Sequence, residues 1–348
     1  MESRLQLRVQ RYGWDKAADR YEGYWAAQLK PAQDRLLEIA TLRSGERVLD
    51  VACGTGLITF PAAAAVGPHG SVVATDISDR MVERIQATAA ARGFANITAR
   101  RAHAGEPVFE AESFDAVLCG LGLMYVPEPL AALREMRRVL KPGGRAVAAV
   151  WGARSHCGWA EIFPIVDRRV ESDVCPMFFQ LGSGENLRAH MEEAGFAQVR
   201  THRLATTLSY ESADDAVGAA FAGGPVAMAY SRFDAPTRDE AHAEYLESIA
   251  PFARGSGYEI PGEFVVARGE RVGAERRSVR LQPDRRRVRL KADTTSILKT
   301  FYRGAARVAT PVPVPPSSVV SRRISSAATS AWKRTVAGSD ANCGTWVV

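Results

Sequence analysis

From Arg47 to Trp151, short apolar runs alternate with stretches of helical periodicity, and few folds accommodate that alternation. Val48-Leu49-Asp50-Val51 reads as a strand, and Gly54-Thr55-Gly56 turns the chain into a helix from Leu57 to about Val66. Ser71-Val72-Val73-Ala74-Thr75-Asp76 is a second strand. Ser78 follows as the N-cap of a helix that runs to Arg92 and stops at Gly93. Residues 97–102, 114–119 and 145–151 give three further strands, and a helix over 128–140 ends at Pro142-Gly143-Gly144. Strands alternating with helices imply a parallel sheet with helices on both faces and right-handed crossovers.

The flanking regions read differently. Residues 1–44 are helical in pattern: Trp14, Ala17, Ala18, Tyr21 and Trp25 recur at helical steps, and Leu36, Leu37 and Ile39 resume after Pro31. They form an N-terminal helical cap on a main domain of residues 45–270. Within it, residues 152–260 are less regular, with helices expected over 159–170, 185–194, 212–221 and 237–249 and strands over 198–204 and 263–268. After Gly269 the composition shifts. Val279-Arg280-Leu281 recurs as Val288-Arg289-Leu290, and a proline run, Pro311-Val312-Pro313-Val314-Pro315-Pro316, follows. Residues 271–348 lack the apolar periodicity that buries a core and are expected to be a disordered basic tail that adds nothing to the chemistry.

That tail distorts the overall charge. It holds 16 Lys and Arg against 4 Asp and Glu, so the formal +6 of the chain conceals a body with 29 basic and 35 acidic groups. The body has no electrostatic footprint for nucleic acid. No stretch approaches a membrane span, the N-terminus has no signal-peptide core, and a cytoplasmic location is expected. Five cysteines, at 53, 119, 157, 175 and 343, are too scattered for a disulfide framework or a metal site.

The chemistry concentrates at the first strand-to-helix junction. Gly54 and Gly56 let the backbone turn tightly with a ligand against it, and the helix N-terminus behind them favours an anionic group. A dinucleotide fingerprint would need a third glycine, and Thr59 stands there. Asp50, inside the strand, suits a ligand with an amine near the loop. Asp76 ends the second strand 20 residues past Gly56, where a carboxylate can accept both hydroxyls of a ribose.

These residues, with Ser113-Phe114-Asp115-Ala116-Val117 and the run from Leu133 to Arg145 that contains Leu140-Lys141-Pro142-Gly143-Gly144, resemble the class I S-adenosylmethionine-dependent methyltransferases. The likeness is greatest to the branch of the quinone-biosynthesis C-methyltransferases, and it covers about residues 10–270. It implies a Rossmann-like α/β fold with a seven-stranded, mostly parallel sheet, the last strand antiparallel, N-terminal helices and a helical substrate cap over 152–260. It further implies that Asp50 holds the methionine ammonium of S-adenosyl-L-methionine. Ala52, Cys53, Gly54, Thr55 and Gly56 would pass under the methionine part, Asp76 would hold the ribose, and Ile77 would pack on adenine. Cys119 and Gly120 would line the floor near the methyl group, while Tyr21 and Trp25 cover the cofactor. Two positions depart from the family pattern: Ala52 replaces the first loop glycine, and the acid that contacts the adenine amino group is absent, with His103 or Ala104 in its place.

The expected activity is methyl transfer by in-line displacement to a small-molecule acceptor, hydrophobic or aromatic by the character of the cap. Such a reaction needs alignment and exclusion of water, and a base only for a protonated acceptor. His156, after the fifth strand, is the one base candidate; Tyr125 and Trp159 read as packing residues, and no metal is implied. Two alternatives stand beside this reading: a cofactor-binding protein without turnover, and a nucleotide-dependent oxidoreductase on a similar sheet.

Overall fold

The alternating region folds into a sheet whose strand order places the glycine turn at its centre. A computed structural model describes residues 3–170 and 178–273, all within one compact unit spanning 1–280. In chain order the elements begin with α1 (Ser3–Ala40), β1 (Arg47–Val51), α2 (Thr59–Val66), β2 (Ser71–Asp76), α3 (Asp79–Arg92) and β3 (Ile97–Arg101). Then come β4 (Phe114–Gly120), α4 (Pro129–Val139), β5 (Leu140–Trp151), α5 (Ile162–Asp167), α6 (Asn186–Glu193) and β6 (Ala197–Tyr210). The last elements are α7 (Ala213–Val217), α8 (Ala227–Tyr230), α9 (Ala235–Ile249), β7 (Ala253–Arg254) and β8 (Gly257–Glu270).

The sheet order is β3-β2-β1-β4-β5-β8-β6. The first five strands are parallel, and β8 runs antiparallel between β5 and β6. The expected seven strands are present, and the two-residue β7 pairs with β8 as a small eighth. Chain progression reverses between β1 and β4, so a crevice opens at their carboxyl ends, where this architecture binds ligands. β1 and β4 are buried along nearly their whole length, as expected for strands covered on both faces.

Local signals explain most element ends. The Ser78 hydroxyl accepts the Met81 N–H at 3.1 Å, and Gly93 closes α3 with φ 72°. Pro31 lies inside the first helix. α1 continues through it as one helix, because Leu29, Ala32, Leu36 and Ala40 on either side are all buried, and that packing outweighs the lost hydrogen bond. β6 and β8, expected as short strands, form 12 residue pairs from Ala197–Glu270 to Tyr210–Tyr258, with a register shift between Ala197 and Arg200. The helix expected over 212–221 gives way at Gly218 to a π-helical turn, Gly218–Ala222. Of the expected tail, residues 274–348 lie outside the described residues. Arg271 is held by the body: its N–H donates to the Gly144 carbonyl at 2.8 Å, and its guanidinium pairs with Glu112 at 2.6 Å.

One buried ion pair fastens α1 to the sheet at the end opposite the crevice. Arg145 donates to both Glu46 carboxylate oxygens at 2.7 and 2.8 Å, and to the carbonyls of Ala40 (2.5 Å) and Thr41 (3.0 Å). With side chains only 9% and 14% exposed, the guanidinium holds the Glu46 carboxyl below its ordinary range despite the opposing effect of burial. Removing one partner leaves the other charge buried. Arg145→Ala is expected to lower the unfolding free energy by about 3–5 kcal/mol, measured as a shift of the urea midpoint at unchanged slope.

Candidate active site

A cleft of about 710 Å³, its open mouth included, lies at the carboxyl ends of β1, β2 and β4. Its floor is Ala52, Gly54, Asp76, Ile77 and Gly120-Leu121-Gly122, one wall is Ala102-His103-Ala104, and its roof is α1 through Leu7, Gln10, Trp14 and Tyr21. A smaller cavity of about 320 Å³ shares Tyr21, Ala52, Gly54, Gly120 and Leu121 with the cleft and adds Gln33, Asp50 and Cys53.

The two carboxylates singled out by the sequence are both buried, at 1% exposure for Asp50 and 6% for Asp76. Asp50 accepts the Thr59 hydroxyl on Oδ2 at 2.6 Å, while its Oδ1 has no partner. Burial pushes its carboxyl up to about 7, with repulsion from Asp76 adding to the effect and the Thr59 hydrogen bond opposing it. Asp76 accepts the Gly54 N–H on Oδ2 and the Ser78 N–H on Oδ1, each at 2.9 Å. Burial still prevails over those hydrogen bonds and raises it to about 6. A pair of desolvated carboxylates, one with an unmatched oxygen, leaves the site poised for a cation or a set of hydroxyl donors.

The other sequence candidates divide. Tyr21, Ala52, Gly54, Asp76, Ile77, Ala104 and Gly120 line the cleft, and Asp50 and Cys53 line the smaller cavity. Thr55 and Gly56 shape the turn from behind: Thr55 is buried, and a Cβ on Gly56, at φ 95°, would lie 2.6 Å from the Phe60 ring. Cys119 is buried within β4 with its thiol pushed up to about 12 by burial, and it lines none of the cavities described here. Trp25 lines a separate aromatic cavity shared with Trp14, Tyr21, Leu121 and Tyr125. His156 is exposed, its Nδ1 is 3.1 Å from Glu263, and it too lines none of these cavities. Where the adenine-contacting acid was expected, His103 and Ala104 stand against the cleft, and His103 Nδ1 accepts the Gly105 N–H at 3.3 Å.

Several lining residues had no motif to mark them. Leu7, Gln10 and Trp14 were legible only as the face of α1 that also carries Tyr21, at steps of three, four and seven residues. Leu121 and Gly122 follow the fourth strand directly. Leu121 (φ 62°) and Ala52 (φ 54°) both adopt the left-handed region at the floor of the cleft, and backbone strain of that kind collects at functional sites. Gly122 makes the arrangement possible: a Cβ there would lie 2.3 Å from the Ala52 Cβ.

Comparison with known proteins agrees with the geometry. A family model described as a methyltransferase domain matches residues 48–144. Demethylmenaquinone methyltransferase of Staphylococcus aureus is 32% identical over 210 residues, covering 55% of this chain and 86% of that protein. Nocamycin O-methyltransferase of Saccharothrix syringae is 37% identical over 132 residues, covering 38% of this chain and about half (47%) of that enzyme. The solved structure of YcgJ from Bacillus subtilis aligns at 17% identity with a TM-score of 0.49, covering 70% of this chain and 99% of that one. The chain belongs to the class I S-adenosylmethionine-dependent methyltransferases, in the branch related to quinone biosynthesis. The protein is an enzyme that uses S-adenosyl-L-methionine, and neither the oxidoreductase nor the non-enzymatic reading finds support among its relatives.

Gly122→Ala is expected to destabilise the protein by about 1–3 kcal/mol through overpacking against Ala52. In an Ala52→Gly background, which removes both the opposing methyl and the left-handed strain, most of that loss should be recovered. Urea unfolding of the four variants reads the coupling; additive effects would show that the two residues do not oppose one another.

Proposed function

We propose that the cleft and the smaller cavity that shares its floor together form the cofactor site. Asp50 receives the methionine ammonium, Ala52 to Gly56 support the methionine chain, and Asp76 accepts the ribose hydroxyls. Ile77 and the wall at Ala104 flank the adenine, and Tyr21 closes the roof. The observation that carries this reading is the buried Asp50 oxygen without a partner, beside a glycine turn and a second buried carboxylate. The residues fit the group: an ammonium satisfies that oxygen, and hydroxyl donors suit the lone pairs left on Asp76.

Once bound, the cofactor supplies an electrophilic methyl on sulfur. The task of this chain is to orient and to exclude water. α1 roofs the cleft, and the aromatic cavity that adjoins it is the place for the acceptor, a hydrophobic or aromatic small molecule. We assign no catalytic base; His156 stays a candidate only for an acceptor that reaches past the end of β5. Residues 152–260 form the substrate cap in this reading. A cytoplasmic location belongs to it as well, supported by Cys53, Cys119 and Cys157 being unpaired and buried. Among the described residues no helix is long and apolar enough to cross a membrane.

The pKa values give the test its sign. The free protein holds protons on Asp50, near 7, and on Asp76, near 6, that an unfolded chain would have released. Its stability therefore falls as pH rises through those values. An ammonium pairs with ionised Asp50, so binding expels that proton. Cofactor affinity is expected to strengthen by up to about tenfold per pH unit below 7 and to level off above it. Titration calorimetry in buffers of different ionisation enthalpy reads both the affinity and the released proton. Asp50→Asn should weaken binding and flatten the pH dependence; a variant that kept the slope would remove Asp50 from the site.

A further inference from the structure

α1 presents two faces near the cleft. Leu7, Gln10, Trp14 and Tyr21 line the ligand space, whereas Arg11, Asp15 and Asp19, at steps of four residues, meet the start of α3. Arg11 and Asp19 make ion pairs with partly exposed partners, which are worth little singly. Asp15 reaches a fully buried one. Its half-buried carboxylate accepts the Ser78 hydroxyl at 2.6 Å and the Arg80 N–H at 3.3 Å, both on Oδ1. An acid in that place satisfies an N–H of the first turn of α3 and faces the positive end of the helix dipole. Asp15 lines none of the cavities described above, so any part it plays in binding runs through its partners.

Ser78, with no exposed surface, has all its polar groups engaged. Its N–H donates to Asp76 Oδ1 at 2.9 Å, its hydroxyl oxygen accepts the Met81 N–H at 3.1 Å, and its carbonyl accepts the Val82 N–H at 3.3 Å. The hydroxyl proton goes to Asp15. Deleting that acceptor leaves a buried donor unmet, which costs more than the bond returns when made. Asp76 in turn is held on its other oxygen by the Gly54 N–H at 2.9 Å. Donors on both oxygens fix the rotation of this carboxylate, and a diol must meet it in that one orientation.

We propose that Asp15 is a positioning residue for ribose recognition: through the Ser78 hydroxyl it holds the N–H that aims Asp76, so the helix that covers the cofactor also sets the carboxylate that grips its two hydroxyls. The proposal rests on the assignment of Asp76 to the ribose. Two hydroxyls gain two hydrogen bonds from one carboxylate only when both oxygens are presented together at the right distance and angle. A carboxylate released from Ser78 turns about its remaining tie to Gly54 and meets the pair less well. The loss falls on the diol, while the methionine and adenine ends of the ligand keep their own contacts.

The test compares S-adenosylhomocysteine with its 2′,3′-dideoxy counterpart by calorimetry on the full chain, at pH 8, above the Asp76 value of about 6, so that the carboxylate is ionised throughout. The unmodified protein is expected to prefer the diol by about tenfold or more, the worth of hydrogen bonds to a charged group. Asp15→Ala and Ser78→Ala should each cut that preference to about threefold or less, and the double variant should cut it no further, because both break one path. Asp15→Asn keeps an oxygen for the Ser78 hydroxyl and should keep the preference. Urea midpoints show which variants are folded; if Asp15→Ala is not, Ser78→Ala and Asp15→Asn decide. Equal weakening of both ligands by Asp15→Ala would reduce Asp15 to a tie for the roof and overturn the proposal, as would a preference lost equally in Asp15→Asn. An unmodified protein that bound the two ligands alike would instead remove Asp76 from the ribose, and the proposal would fall with that reading.

Discussion

The Asp76 carboxylate joins the two halves of the site. One oxygen holds the Gly54 N–H of the turn after β1, and the other holds the Ser78 N–H at the start of α3. Ser78, fixed in that position, donates its hydroxyl to Asp15 of α1 at 2.6 Å. A single buried side chain thus sets the distance between the glycine turn and the second strand and, through one further residue, the seat of the roof. The same helix face is drawn to α3 by ion pairs of Arg11 with Asp79 and of Asp19 with Arg84. These are surface pairs worth little singly, but they repeat along one face and orient the helix.

The electrostatic character of the site follows from that connection. Backbone donors stabilise ionised Asp76, yet burial outweighs them, and Asp50 behind it, buried with a single hydroxyl donor, is raised further. Two carboxylates kept partly protonated near neutral pH are costly in the free protein and suited to a ligand carrying both an ammonium and a diol.

The alternating region was readable because its signals are local. Strands buried on both faces read as apolar runs, Ser78 and Gly93 punctuate α3, and the glycine turn with Asp50 and Asp76 lies within 27 residues of sequence. The cap was less legible, since β6 and β8 derive their length from pairing with each other and not from their own pattern. Pro31 sits within α1, where a proline's local cost is offset by packing that the sequence does not display. The roof of the cleft and the aromatic cavity bring residues near position 14 together with residues beyond 120 and near 159. Such a meeting is made by topology, and no spacing along the chain announces it.

α1 spans 38 residues, a rod of about 57 Å, and its inner face covers two chambers in succession. Residues 7 to 21 lie over the cleft, and residues 14 to 29 border the indole-walled cavity. Its far end is clamped by Arg145 through the Ala40 carbonyl. The other half is tied as well, through Asp15, Arg11 and Asp19 to Ser78 and α3, so a single helix fixed at both ends fits the two cavities together and neither wall can be reset without the other.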